Sequence, residues 1–146
     1  MARPAIEIRN VRPADGPALR ALQRDVITEP SPALLEAAIE GFGIARVAVD
    51  GRPIGYAFAL VGDSAVYVPE LAVASSHRRR GIGTALLDAV AERAREGSAE
   101  TLRLTVHADD ERAREFYRAS GFVEVTRHEE YFETGSETGI DLARPV

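Results

Sequence analysis

The chain reads as a mixed α/β layer, and three observations predict it. Two extended segments, Ile44 to Val49 and Ile54 to Val61, meet at Asp50-Gly51, and a second turn signal, Gly62-Asp63, leads into a third segment. That third segment, Ala65 to Ala74, is apolar except for Glu70 and runs into a helical period from about Ile82 to Glu96. After the helix, Thr101 to His107 alternates, with Leu102, Leu104 and Val106 on one face and Thr105 and His107 on the other. Strands joined by two-residue turns build an antiparallel meander, and helices flank it. A length of 146 residues suits one domain over residues 1–146.

The elements follow in order. Ile6, Ile8 and Val11 suggest a short first strand. Asp15, followed by Gly16 and Pro17, starts a helix whose apolar face is Leu19, Leu22 and Val26. Ser31-Pro32 starts a second helix through Leu34, Leu35, Ala38 and Ile39, stopped by Gly41 and Gly43. Pro69 lies inside the third meander strand, where it cannot donate to a ladder, and so marks a bulge or an edge. The long helix carries Ile82, Ala85, Leu86, Ala89, Val90 and Ala94 on one face and ends near Gly97. Asp109 or Asp110 caps the next helix, which ends at Ser120-Gly121. Phe122 to Phe132 and roughly Thr138 to Leu142 read as closing strands.

Composition excludes several function classes. Cysteine is absent, which removes disulfides, thiolate metal sites and a cysteine nucleophile. The first residues hold no apolar run fit for a signal peptide, and no stretch approaches membrane-span length. Together these fit a cytoplasmic protein with no membrane partner. A net charge of −5 argues against nucleic-acid binding. It also makes Arg78-Arg79-Arg80 stand out as a local anion site in an acidic chain. His77 and His128 lack companions at metal-ligand spacing, so no metal site is expected.

The stretch Arg78-Arg79-Arg80-Gly81-Ile82-Gly83-Thr84 sits between a strand and a helix. Glycines let backbone N–H groups approach a ligand, and a helix N-terminus offers unpaired donors and a positive dipole end. Such a loop suits phosphate. A P-loop is excluded because its lysine is missing, the basic residues being all arginine. A dinucleotide fingerprint fails because Leu86 stands where a third glycine is needed. The alternative is a plain tight turn with solvated arginines.

The Arg78-x-x-Gly81-x-Gly83 spacing resembles the signature of the GNAT (Gcn5-related) N-acetyltransferases. So do Glu70-Leu71-Ala72-Val73 before it and Ala113-x-x-Phe116-Tyr117-x-x-x-Gly121-Phe122 after it. This resemblance implies a central, mostly antiparallel sheet splayed in the middle and flanked by helices. It implies acetyl-CoA as cosubstrate, with the pyrophosphate on Arg78, Arg79, Arg80, Gly81, Ile82, Gly83 and Thr84 and the pantetheine arm along Leu71, Ala72 and Val73. Asp110 stands where many relatives have an Asn contacting that arm. Asp can cap the helix but has no amide to donate.

Acetyl transfer to an amine needs a base, oxyanion donors and, for the departing thiolate, an acid. The resemblance makes Tyr117 the acid, beside the coenzyme; the alternative is a core tyrosine sharing a packing stripe with Ala113 and Phe116. Glu70 is the candidate base, since a carboxylate in an apolar strand must be paired, solvated or put to use. His107, at a strand end near the expected cleft, is the rival base. The leading expectation is direct acetyl transfer to a primary amine of a small molecule. One alternative is acetylation of protein N-termini: Tyr131-Phe132 resembles ribosomal-protein acetyltransferases, although Thr105 stands where those enzymes place a base glutamate. Another is a non-catalytic acyl-CoA-binding domain. Pairing of closing strands across a homodimer is compatible with the family.

Overall fold

The computed structural model describes residues 6–129 and 138–146. One seven-stranded sheet forms the body, in the order β1-β2-β3-β4-β5-β7-β6. The strands are β1 (Glu7–Asn10), β2 (Ile44–Val49), β3 (Pro53–Val61), β4 (Ala65–Val73), β5 (Thr101–His107), β6 (Val123–His128) and β7 (Gly139–Pro145). The helices are α1 (Gly16–Val26), α2 (Pro32–Ile39), α3 (Ile82–Ala94) and α4 (Glu111–Ala119). Short 3₁₀ turns at Pro13–Asp15 and Ser75–His77 precede α1 and the arginine–glycine loop. Among the described residues no helix is long and apolar enough to cross a membrane.

All pairings are antiparallel except β4 with β5, which run parallel and stay in register only from Ala65↔Thr101 to Tyr67↔Arg103. Beyond that point β4 bonds only to β3 and β5 only to β7. The sheet splays there, as the family resemblance implied.

Pro69 marks the device that shapes β4. Phe58 pairs with Glu70 but Leu60 pairs with Tyr67, so β4 carries an extra residue around Val68-Pro69. A bulge of one residue moves every following side chain to the opposite face. Val66 and Val68 accordingly join the core under α3, whereas Ala72 joins the cluster under α1 and α2. Glu70 turns with it.

Two cores result, one on each sheet face. Ile82, Leu86, Leu87, Val90 and Ala91 of α3 pack on Ile54, Ala57, Val66, Leu102, Leu104, Ile140 and Leu142. Leu19 and Leu22 of α1 with Leu35 and Ile39 of α2 cover Val47, Tyr56 and Phe58 on the other face. Asp15 differs from the helix cap the sequence suggests. Its carboxylate reaches back, accepting Arg9 through both oxygens (2.8 and 2.9 Å) and the Arg12 N–H (2.7 Å). The second half of the expected Phe122–Phe132 strand, including Tyr131 and Phe132, lies outside the described residues.

Candidate active site

The phosphate-type loop is built from backbone. Arg79 (φ 63°) and Gly81 (φ 76°) both adopt the left-handed region, which turns successive N–H groups towards one side. The first helical bond of α3 runs from Ala85 N–H to Gly81 C=O (3.0 Å). The amides of Ile82, Gly83 and Thr84 therefore lack an intrahelical acceptor, and no side chain caps them. Arg78, Arg79 and Arg80 are exposed beside them. At the loop's root His77 bonds Asp50 (3.0 Å) and Ser76 (2.8 Å), pinning it to the β2–β3 turn.

Two loop residues do more than their motif suggests. A Cβ on Gly83 would lie 2.7 Å from Cζ of Phe116 and 3.7 Å from Leu71. Its smallness thus admits Phe116 of α4 against α3, and this, as much as ligand approach, is why no side chain fits. The Thr84 hydroxyl is spent on Ser120 Oγ (2.9 Å), which leaves its amide for a ligand. Both contacts tie the helix that begins at the loop to the helix that carries Tyr117.

Tyr117 sits edge-on between Phe116 (5.0 Å between centroids) and Phe122 (5.5 Å). Side chains on a helix lean towards its N-terminus. The phenol accordingly points to where β5 ends and Asp110 begins α4. Asp110 caps that helix, accepting Ala113 N–H at 3.0 Å. Burial pushes the Tyr117 phenol well above its ordinary range, and the Asp110 carboxylate adds to the shift. The hydroxyl therefore stays protonated and available as a donor.

Glu70 differs most from the sequence expectation. It is 5% exposed and faces α1. Oε1 accepts Tyr56 OH (2.7 Å) and Gln23 Nε2 (2.9 Å); Oε2 accepts Ser31 N–H (2.9 Å) and Gln23 Nε2 (3.2 Å). A carboxylate offers about four acceptor sites, and three donors reach them, the Gln23 amide being shared between the two oxygens. Burial and the bond to Glu70 push the Tyr56 phenol far up, so it donates permanently. Glu70 is thus a buried, hydrogen-bonded carboxylate and not one that faces solvent. Sequence reasoning missed its partners, although Gln23 interrupts the apolar face of α1 four residues after Leu19.

His107 ends β5, paired in register with Gly139, on the open side of the splay. Its Nε2 lies 3.6 Å from Glu29 Oε1, from the loop between α1 and α2. No feature of the sequence pointed to Glu29. Asp110 N–H donates to the His107 carbonyl (3.0 Å), so the end of β5 and the start of α4 are bonded to each other. Among the described residues no group of His, Asp or Glu is placed to hold a metal.

The unpaired α3 amides, the arginines and the free edge of β4 at Leu71-Ala72-Val73 fit an anionic diphosphate joined to an extended amide-bearing arm. A splayed sheet with this loop at its mouth defines an acyl-coenzyme A-dependent transferase. Residues 13–122 match the Acetyltransferase (GNAT) family, and the chain belongs to that family, an acyltransferase using acetyl-CoA as cosubstrate. A mycothiol acetyltransferase of Clavibacter michiganensis subsp. michiganensis is 39% identical over 94 residues, 64% of this chain. The matched chain spans only 26% of that relative's length. Arabidopsis thaliana NAA60 with a bisubstrate analogue superposes with a TM-score of 0.85 at 19% identity, covering 97% of this chain and 98% of its own. Ard1 of Thermoplasma volcanium gives 0.85 at 25%, covering 98% and 99%. The Escherichia coli ribosomal-protein-S18-alanine N-acetyltransferase gives 0.82 at 24%, covering 97% and 94%.

Proposed function

We propose that this acetyltransferase moves an acetyl group directly to the primary amine of a small molecule, with His107 as the base. The observation that carries the reading is the splay beyond Tyr67 and Arg103. It opens one cleft between the free edge of β4 and the end of β5, with an imidazole at that end. Glu70 is already bonded by Tyr56, Gln23 and Ser31 away from that end, whereas His107 is half-buried at the end of β5 where the splay opens.

Acetyl-CoA supplies the activated acetyl thioester when bound. The amides of Ile82, Gly83 and Thr84 hold its diphosphate, Arg78–Arg80 add charge, and Leu71–Val73 align the arm. His107 accepts a proton from the acceptor ammonium, with the Glu29 carboxylate 3.6 Å from its Nε2. Tyr117 donates a hydrogen bond to the departing sulfur. Its phenol, pushed above the usual range, stays protonated and able to donate there.

The relative at 39% identity is named a mycothiol acetyltransferase, and a name that specifies no protein acceptor supports the small-molecule reading. A protein N-terminus is the second reading, favoured by the whole-chain likeness to the S18-alanine N-acetyltransferase. Mass spectrometry after incubation with acetyl-CoA, a panel of small amines and a panel of short peptides tests both. Modified amines with untouched peptides are expected. Peptide N-termini modified alone would transfer the function to the second reading, and bound coenzyme without any product would remove both.

A further inference from the structure

With the proton assigned to His107, the buried carboxylate of Glu70 is left without a chemical task, yet its contacts converge from three separate elements. Tyr56 OH comes from β3, Gln23 Nε2 from α1 and Ser31 N–H from the residue before α2. The Gln23 amide also donates to the Ser31 carbonyl at 3.1 Å. Ser31 is thus gripped by both its N–H and its C=O. Two residues earlier in the same loop, Glu29 reaches His107 on the opposite side of the splay.

The loop of residues 27–31 therefore crosses the cleft, anchored to β4 at one end and touching β5 near its middle. The bulge at Val68-Pro69 is what turns Glu70 to this face; in an unbroken strand it would point, like Val66 and Val68, at α3. We propose that Glu70 is a positioning residue, a latch that fixes the loop between α1 and α2 and so sets the acceptor side of the cleft. It acts through Gln23, Tyr56 and Ser31, none of which needs to touch the amine. The inference rests on the reading that the acceptor enters between this loop and β5.

The test uses the full chain with Glu70→Gln and, as the milder variant, Tyr56→Phe. Hydrogen exchange follows the amides of residues 27–31, calorimetry follows acetyl-CoA affinity, and L-alaninamide serves as the amine probe. Both variants should speed exchange in the loop and raise the KM for alaninamide, by about tenfold for Glu70→Gln and less for Tyr56→Phe. Acetyl-CoA affinity should hold, and kcat should change far less than the acceptor KM, because the base is still present. Unchanged loop exchange in Glu70→Gln would overturn the latch. So would an unchanged acceptor KM with a large loss of kcat, which is the signature of a base. If Glu70→Gln does not fold, Tyr56→Phe decides by the same criteria. If wild-type protein leaves alaninamide untouched, the assignment of a small amine of this kind fails, and loop exchange alone judges the latch.

Discussion

The two sides of the cleft are built in different ways. On the proposed coenzyme side, the candidate site is backbone: left-handed residues at Arg79 and Gly81, the open first turn of α3 and the free edge of β4. Its supporting contacts are few and plain, Gly83 against Phe116 and Thr84 with Ser120. On the proposed acceptor side, the candidate site is made of side chains brought together from far apart. Glu70 lies 47 residues from Gln23 and 39 from Ser31, and His107 meets a glutamate from near the start of the chain. A backbone site can serve one unvarying ligand across many sequences, because it depends on glycine and helix geometry. A side-chain site can be re-specified by a few substitutions without disturbing the first.

The largest expected effect lies on the acceptor side. His107→Ala should lower kcat by about 10²–10⁴-fold, the usual range for a general base. Acetyl-CoA affinity by calorimetry should not move. A full-rate variant would remove His107 and leave the proton to water.

Tyr117→Phe comes next and probes the junction of the two sides. Only a hydroxyl is lost, so the edge-on packing with Phe116 and Phe122 should persist and the melting temperature shift little. The kcat should fall by about 10²-fold, the low end of that range, because a thiolate is already a fair leaving group. With the phenol held protonated, the wild-type rate should show no Tyr117 titration below about pH 10. Altered stability with an intact rate would mean a core tyrosine.

The coenzyme side is best sharpened by pairing its glycines. Gly83→Val drives a branched side chain into Phe116, and overpacking of this kind costs about 1–3 kcal/mol. Acetyl-CoA affinity should drop as well, since α4 is displaced from α3. Adding Phe116→Leu should restore stability; affinity restored with it would show that packing, rather than ligand approach, demands glycine there. Gly81 faces open space, so Gly81→Ala meets no clash and should cost only the left-handed strain, about 1 kcal/mol.

The smallest effect concerns the scaffold of the acceptor side. The paired bond from Arg9, against the opposing cost of burial and helped by the Arg12 N–H, holds the Asp15 carboxyl below its ordinary value. A group with a depressed folded pKa stabilises the fold above its unfolded value near 3.9, and that contribution vanishes as pH falls through the folded value. Thermal melts from pH 7 to pH 2 should show wild type losing more stability than Asp15→Asn. Parallel curves would mean that the Arg9 pair contributes nothing net.

The sequence by itself determined what is local. Turn residues placed the hairpins, apolar period placed α3, Pro69 announced the bulge, and Asp110 capped α4, because each depends on a residue and its near neighbours. The arginine–glycine loop was legible for the same reason. Only the tertiary structure decided the fate of Glu70, the pressure of Phe116 on Gly83 and the meeting of Glu29 with His107. Side chains alternate along a strand with a period of two, so a one-residue bulge reverses every face beyond it. Pro69 told that β4 was interrupted, but whether Glu70 then met solvent, substrate or α1 depended on helices folded against it from elsewhere in the chain.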